Sequence, residues 1–169
     1  MITTPLQLKT LSKDALPRAM EKADRYRLLN EPLQAQSICL DVLAVDPENQ
    51  QALVVLLLAM TDQFGPAYKM SELDPDQVIA RLKSPYDRDY YAGIVAERRA
   101  EAILDENTSH SRYLAHDHLT VAMQHYETAA EIRPPGNDDA ILRWNTCARL
   151  MNSEGVRPRQ DEPAETLLE

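Results

Sequence analysis

Apolar residues recur along the chain in blocks that prolines separate. The blocks are rich in Ala, Leu, Glu, Gln, Arg and Met, which favour helices, and we find no convincing run of alternating β-branched residues. Proline suits the first turn of a helix, and Asp-Pro or Ser-Pro also supplies an N-cap residue. The pattern predicts an all-α chain, with helices over about 16–29, 32–45, 48–60, 75–83, 86–106, 113–132 and 139–152.

The apolar block from Ala52 to Met60 is unbroken over nine residues. It is too short to cross a bilayer, which takes about 20 residues. It is also too apolar for a surface helix, which buries only one stripe of its side chains. We therefore expect this helix to be covered on nearly all sides.

The residues before two helix-ending prolines, Pro47 and Pro134, follow the same spacing. This pattern resembles the tetratricopeptide repeat, a helix–turn–helix unit of about 34 residues. At 12, eight and five residues before the two prolines stand Ala35 and Ala122, Cys39 and Tyr126, and Val42 and Ala129. Further signature positions around Pro47 are occupied by Ala23, Tyr26, Ala52, Leu53 and Leu56.

The resemblance is weaker in the middle of the chain. Successive prolines at positions 47, 85 and 134 lie 38 and 49 residues apart. Because a repeat has about 34 residues, the middle part, about 62–112, is expected to carry extensions.

The resemblance implies a right-handed superhelical stack of antiparallel helix pairs, with about three pairs and a C-terminal capping helix. The stack would span residues 16–152, between a flexible lead-in over 1–15 and a disordered acidic tail over 153–169. The apolar helix from Ala52 would begin the second pair, at the centre of the stack. Proteins of this family bind a peptide or helix of a partner protein in a concave groove, and we expect the same non-catalytic function here.

In the resembled family, the first helix of each pair lines the groove. At the corresponding positions of this chain, three arginines and one threonine would form one row along the groove: Arg27, Thr61, Arg99 and Arg149. Arg99 and Arg149 have no acidic residue three or four positions away, so an ion pair within their own helix does not explain them. Because arginine forks bind carboxylates, we expect an acidic or C-terminal segment in the groove. The groove positions carried over to this chain are Met20, Asp24, Arg27, Gln51, Thr61, Arg99 and Arg149.

The net charge of −9 restricts the partners. A protein needs concentrated Lys and Arg to bind nucleic acid or an anionic membrane surface, so neither is an expected partner. Neither Cys39 nor Cys147 is part of a CxxC pair, and both are expected to be buried small side chains; no cofactor is expected. The N-terminal residues lack an apolar signal core, which predicts a cytoplasmic protein.

Two other functions stay open. In one, an exposed end helix pairs with its copy, and the protein is a structural homodimer or part of a scaffold. In the other, His110, His116 and His118 hold a metal in a small enzyme. Asp117 and Glu97 would be its carboxylate ligands, but two residues turn a helix by about 200°, which points His116 and His118 to different sides. The chain contains no GxSxG, HExxH, P-loop or GxGxxG motif, and we expect no enzyme.

Overall fold

Helices make up the regular secondary structure in the computed structural model, which describes residues 5–65, 73–153 and 155–159. These ranges contain seven α-helices and no strand, which confirms the all-α prediction. Each helix bound lies within three residues of its prediction, and a short 3-10 helix over Lys13–Ala15 precedes the first α-helix. The helices are α1 (Leu16–Leu28), α2 (Pro32–Val45), α3 (Gln50–Thr61), α4 (Pro75–Ala80), α5 (Pro85–Asp105), α6 (Ser111–Glu131) and α7 (Asp139–Met151).

Side-chain caps determine where three of the helices begin. Asp74 and Ser84 each accept a hydrogen bond of 3.1 Å from a backbone N–H two or three residues further on. A proline follows each of them at the start of α4 or α5, as the sequence predicts. Asn49 caps α3 by accepting a hydrogen bond from Ala52 N (3.0 Å), and α3 therefore begins at Gln50, two residues later than predicted.

Consecutive helices pack against one another from α1 to α7. Two further contacts join α1 to α3 and α3 to α5, so the first three odd-numbered helices are neighbours. α4 has only six residues, whereas α5 and α6 have 21 each and share the most extensive contact. The same contacts would be expected if the helices formed three successive pairs, α1–α2, α3–α4 and α5–α6, followed by α7.

The interior consists of two clusters of buried side chains. The first cluster is formed by α1 to α4 together with Val95 of α5. The second is formed by α5, α6 and α7 together with Val156, which follows α7. Tyr91 of α5 packs against both clusters, so this helix connects the two halves of the molecule.

Each cluster contains one cysteine. Cys39 lies in the first and Cys147 in the second, and both are free thiols with no exposed surface. Burial, together with the carboxylate of Asp24 for Cys39 and of Glu97 for Cys147, raises the pKa of both thiols to about 12. The prediction that both are buried side chains is confirmed.

α3 is covered on nearly all sides, as its apolar sequence predicts. Eight of its 12 residues are buried, and only Val54 and Leu58 of its bulky side chains are half-buried. Leu58 packs against the second cluster, whereas Leu53 and Leu56 belong to the first. Among the described residues, no helix is long and apolar enough to cross a membrane.

The packed domain extends beyond the bounds expected for it at both ends. Leu11 packs against the first cluster, although residues 1–15 were expected to be a lead-in. Val156 is 5% exposed in the second cluster, and Arg157 N donates a hydrogen bond to the Arg112 carbonyl (3.4 Å). An apolar residue within the range 153–169, which was expected to be a disordered tail, therefore reaches the core. Residues 1–4, 154 and 160–169 lie outside the described part of the chain.

α5 and α6 come close together at Gly93. A Cβ atom on this residue would lie 2.5 Å from Cε1 and 2.7 Å from Cδ1 of the Tyr126 ring, which is far too close for two carbon atoms. Tyr126 is fully buried, and its hydroxyl donates a hydrogen bond to Glu97 Oε2 (2.5 Å), so the ring has little room to move. Glycine is therefore needed here for space.

We expect Gly93→Ala to destabilise the protein. Overpacking costs about 1–3 kcal/mol, and better helix propensity offsets about 1 kcal/mol of that cost. Urea unfolding should show a net loss of up to about 2 kcal/mol. In a Tyr126→Leu background, which lacks the ring, the same substitution should be neutral or stabilising. An equal loss in both backgrounds would mean that the ring is not the cause.

Candidate functional site

A cleft of about 490 Å³ lies between α1, α3 and α5, and we call it the three-helix cleft. α1 ends at Leu28, α3 at Thr61 and α5 at Asp105, and all three of these residues line it. The C-terminal ends of three helices therefore converge on one cleft. Its lining residues are Arg27, Leu28, Asn30, Thr61, Asp62, Phe64, Arg98, Glu101 and Asp105.

Two of the seven predicted groove residues, Arg27 and Thr61, line this cleft. Thr61 is only 3% exposed, and its hydroxyl donates a hydrogen bond within its own helix, so it offers a partner little surface. Met20 is 2% exposed and belongs to the first cluster, which places it beneath the surface instead of on it. Asp24 and Gln51 are joined by a hydrogen bond from Gln51 Nε2 to Asp24 Oδ2 (3.4 Å), which links α1 to α3.

Arg27 is held in an ion pair inside the three-helix cleft. Its Nε lies 2.7 Å from Asp62 Oδ2, and the two side chains are 25% and 18% exposed. Asp62 directly follows α3, far from Arg27 in sequence, so no spacing within one helix indicates the pair. The charge of Arg27 is therefore already compensated within the protein.

The arginine that α5 presents to the three-helix cleft is Arg98, whereas the sequence predicts Arg99 in the groove. Arg98 Nη1 lies 3.6 Å from Glu101 Oε2 on the same helix. The guanidinium of Arg99 lies over the ring of Phe64, 5.8 Å from its centre, and lines a different cavity. One residue turns a helix by about 100°, which is enough to move a side chain from one surface to the next.

The three arginines predicted to form one row do not line a single cavity among the described residues. Arg27 lies in the three-helix cleft, whereas Arg99 lines the cavity beyond Phe64. Arg149 is exposed on α7, and it forms no ion pair among the described residues. Arg27 and Arg99 thus line two cavities, both of which Phe64 also lines.

The three-helix cleft contains more acid than base. Asp62, Glu101 and Asp105 outnumber Arg27 and Arg98. Burial raises the pKa of the Glu101 carboxyl group. The charge of Arg98 lowers that pKa in part, while nearby acidic groups, including Asp105, raise it further.

The histidines expected as possible metal ligands are spread over different surfaces. His118 lines a cavity of about 240 Å³ together with Arg99. His116 lies beside Asp117, with 3.7 Å between Nδ1 and Oδ1, and His110 contacts its neighbouring serine. In the part of the chain that the structure describes, no group of three His, Cys, Asp or Glu side chains is placed to hold a metal.

Glu97 belongs to a buried polar cluster that the sequence did not reveal. It is 2% exposed; its Oε2 accepts the hydrogen bond from Tyr126, and its Oε1 lies 3.3 Å from Arg143 Nη1. Burial raises the pKa of Tyr126, and the carboxylate of Glu97 raises it further, so the hydroxyl keeps its proton and donates. Trp144 Nε1 of α7 donates a separate hydrogen bond to Glu127 Oε1 of α6 (3.0 Å). The cluster thus ties α7 to α5 and α6 through polar contacts.

Comparison of the chain with protein-family models, with curated proteins and with solved structures finds no match.

We expect Arg143→Met to destabilise the protein by about 1–3 kcal/mol, because Glu97 would lose its cationic partner while staying buried. Arg149→Met changes an exposed arginine of the same helix and should have an effect below about 0.5 kcal/mol. Chemical denaturation of both variants measures the difference. A similar loss in both would show that the pair with Glu97 does not hold α7.

We also expect Arg99 to control the titration of His118. Burial lowers the pKa of His118 below its usual 6.5, and the charge of Arg99 lowers it further. Because this pKa is lower in the folded chain than in the unfolded one, the histidine favours folding above about pH 6.5 and less so as the pH falls below it.

Proton NMR of the imidazole signals tests this expectation. In Arg99→Met, the pKa of His118 should rise but stay below 6.5, because burial remains. Arg98→Met removes the neighbouring arginine on the three-helix cleft and should leave that pKa unchanged. A larger change in Arg98→Met than in Arg99→Met would contradict the placement of the two arginines.

Proposed function

We propose that the protein is a non-catalytic interaction module that binds a segment of another protein in the three-helix cleft. The proposed architecture is a right-handed superhelical stack similar to that of tetratricopeptide-repeat proteins. The contacts of α1 with α3 and of α3 with α5 support it, because first helices of successive pairs are neighbours in such a stack. The short α4 would be the reduced second helix of the middle pair.

The observation that carries the proposal is the combination of this cleft with an exposed apolar edge. Leu28 lines the cleft and is 84% exposed. Leu29 directly follows α1, Leu33 lies in the first turn of α2, and they are 65% and 68% exposed. Grouped exposed leucines beside a concave surface are typical of a protein-binding site.

The polar side chains of the cleft also favour binding over catalysis. Arg27 is paired with Asp62, and Arg98 lies beside Glu101. A general acid or base is usually held beside the group with which it exchanges a proton. Ion pairs within the wall instead stabilise a surface of fixed shape, as a docking site requires.

Photo-crosslinking in cells of the source organism tests the proposal. A photoreactive phenylalanine analogue at Leu28 or at Asp105 lies in the cleft, whereas the same analogue at Val121 lies on an exposed part of α6. We expect crosslinks to a partner protein from the first two sites and not from Val121.

Two outcomes would contradict the proposal. Crosslinks from Val121 alone would move the binding surface to α6. Crosslinks only between copies of this chain, with a mass that rises with concentration, would instead favour the homodimeric scaffold.

A further inference from the structure

We propose that the segment bound in the three-helix cleft is basic and amphipathic, with Lys or Arg side chains in the cleft and apolar ones on the leucines of the α1–α2 turn. This inference rests on the proposed function and specifies the chemistry of the partner. It replaces the acidic ligand expected from the sequence.

The ends of the helices provide the first reason. The C-terminal end of a helix carries about half a negative charge, which basic residues in the last turn normally offset. The last turn of α1 contains Arg25 and Arg27, but those of α3 and α5 contain no basic residue. Two helix ends without a basic residue in their last turn therefore face the cleft, and such ends favour a cation over an anion.

The side chains of the cleft add to this negative potential. Asp62 is offset by Arg27 and Glu101 by Arg98. Asp105, at the end of α5, is exposed and has no ion-pair partner among the described residues. A Lys or Arg side chain from a partner would supply the missing positive charge.

The pKa of Glu101 agrees with this view. Burial is the largest cause of its rise; Arg98 and Arg143 lower it, while Glu97 and Asp105 raise it. A cation placed in the cleft would lower the pKa of Glu101, because it favours the ionised carboxylate. The net charge of −9 would also steer a basic partner toward the protein.

The exposed leucines supply the apolar part of the site. Leu28, at the end of α1, lines the cleft, and it is followed by exposed Leu29 and by exposed Leu33 in the first turn of α2. A segment with basic side chains on one face and apolar side chains on the next would contact both surfaces at once. This requirement distinguishes an amphipathic segment from an unstructured run of lysines.

Two synthetic peptides test the inference by fluorescence anisotropy. In the first, Leu and Lys recur with helical spacing; in the second, Glu replaces every Lys. The wild-type protein should bind the Leu–Lys peptide at least about tenfold more tightly at physiological salt. Equal or tighter binding of the Leu–Glu peptide, or no binding of either, would overturn the inference.

Matched variants separate a specific site from general charge attraction. Glu101→Gln with Asp105→Asn should weaken binding of the Leu–Lys peptide about five- to twentyfold. Asp117→Asn with Glu131→Gln removes the same charge from α6 and should change it less than about twofold. Asp105→Asn alone, at an exposed residue, keeps the test valid if Glu101→Gln disturbs folding. Equal weakening by both pairs would overturn the inference.

The leucines are tested in the same assay. Leu28→Ser with Leu33→Ser should weaken binding about fivefold or more, whereas Leu142→Ser, at a leucine on α7 that is 62% exposed, should not. If the Leu–Glu peptide binds and requires Leu28 and Leu33, the basic ligand is wrong but the proposed binding site stands. If no peptide binds and crosslinks from the cleft are absent, both proposals fail.

Discussion

The rotation of α5 about its own axis determines which side chains meet in each part of the molecule. The hydrogen bond from buried Tyr126 to Glu97 fixes this rotation, because it requires Glu97 to face α6. With Glu97 in that position, the helical turn carries Arg98 to the three-helix cleft and Arg99 to the neighbouring cavity. The same carboxylate binds Arg143 and so attaches α7. A rotation of α5 by one residue would alter the lining of the cleft and break the link to the last helix.

Local signals explain why the helices are predictable. Proline together with an Asp or Ser cap acts over a few residues, and α4 and α5 begin where these signals lie. The burial of α3 is equally local in origin, since a run of apolar residues around the whole helix requires neighbours on nearly all sides. The burial of the two cysteines is predicted in the same way, because they are small residues within helical blocks.

The candidate site depends on contacts between distant parts of the chain, and the sequence predicts it only in part. The partner of Arg27 is Asp62, so a search for acids within one helix misses it. The position of Arg99 depends on the register of α5, in the middle of the chain, where the repeat pattern is weakest. An error of one residue there exchanges two neighbouring surfaces. The expected charge of the ligand depends instead on the acidic partners of Arg27 and Arg98, which the sequence pattern does not show.

The cysteines give each half of the molecule its own reporter of local unfolding. Thiol reagents attack the thiolate, and burial keeps both Cys39 and Cys147 protonated and covered. Each thiol can therefore be labelled only when its own cluster opens. A chain whose helices contact mainly their neighbours in sequence is able to open at one end while the other stays closed. The relative labelling rates of the two thiols would thus reveal whether the two halves unfold as one cooperative unit or separately.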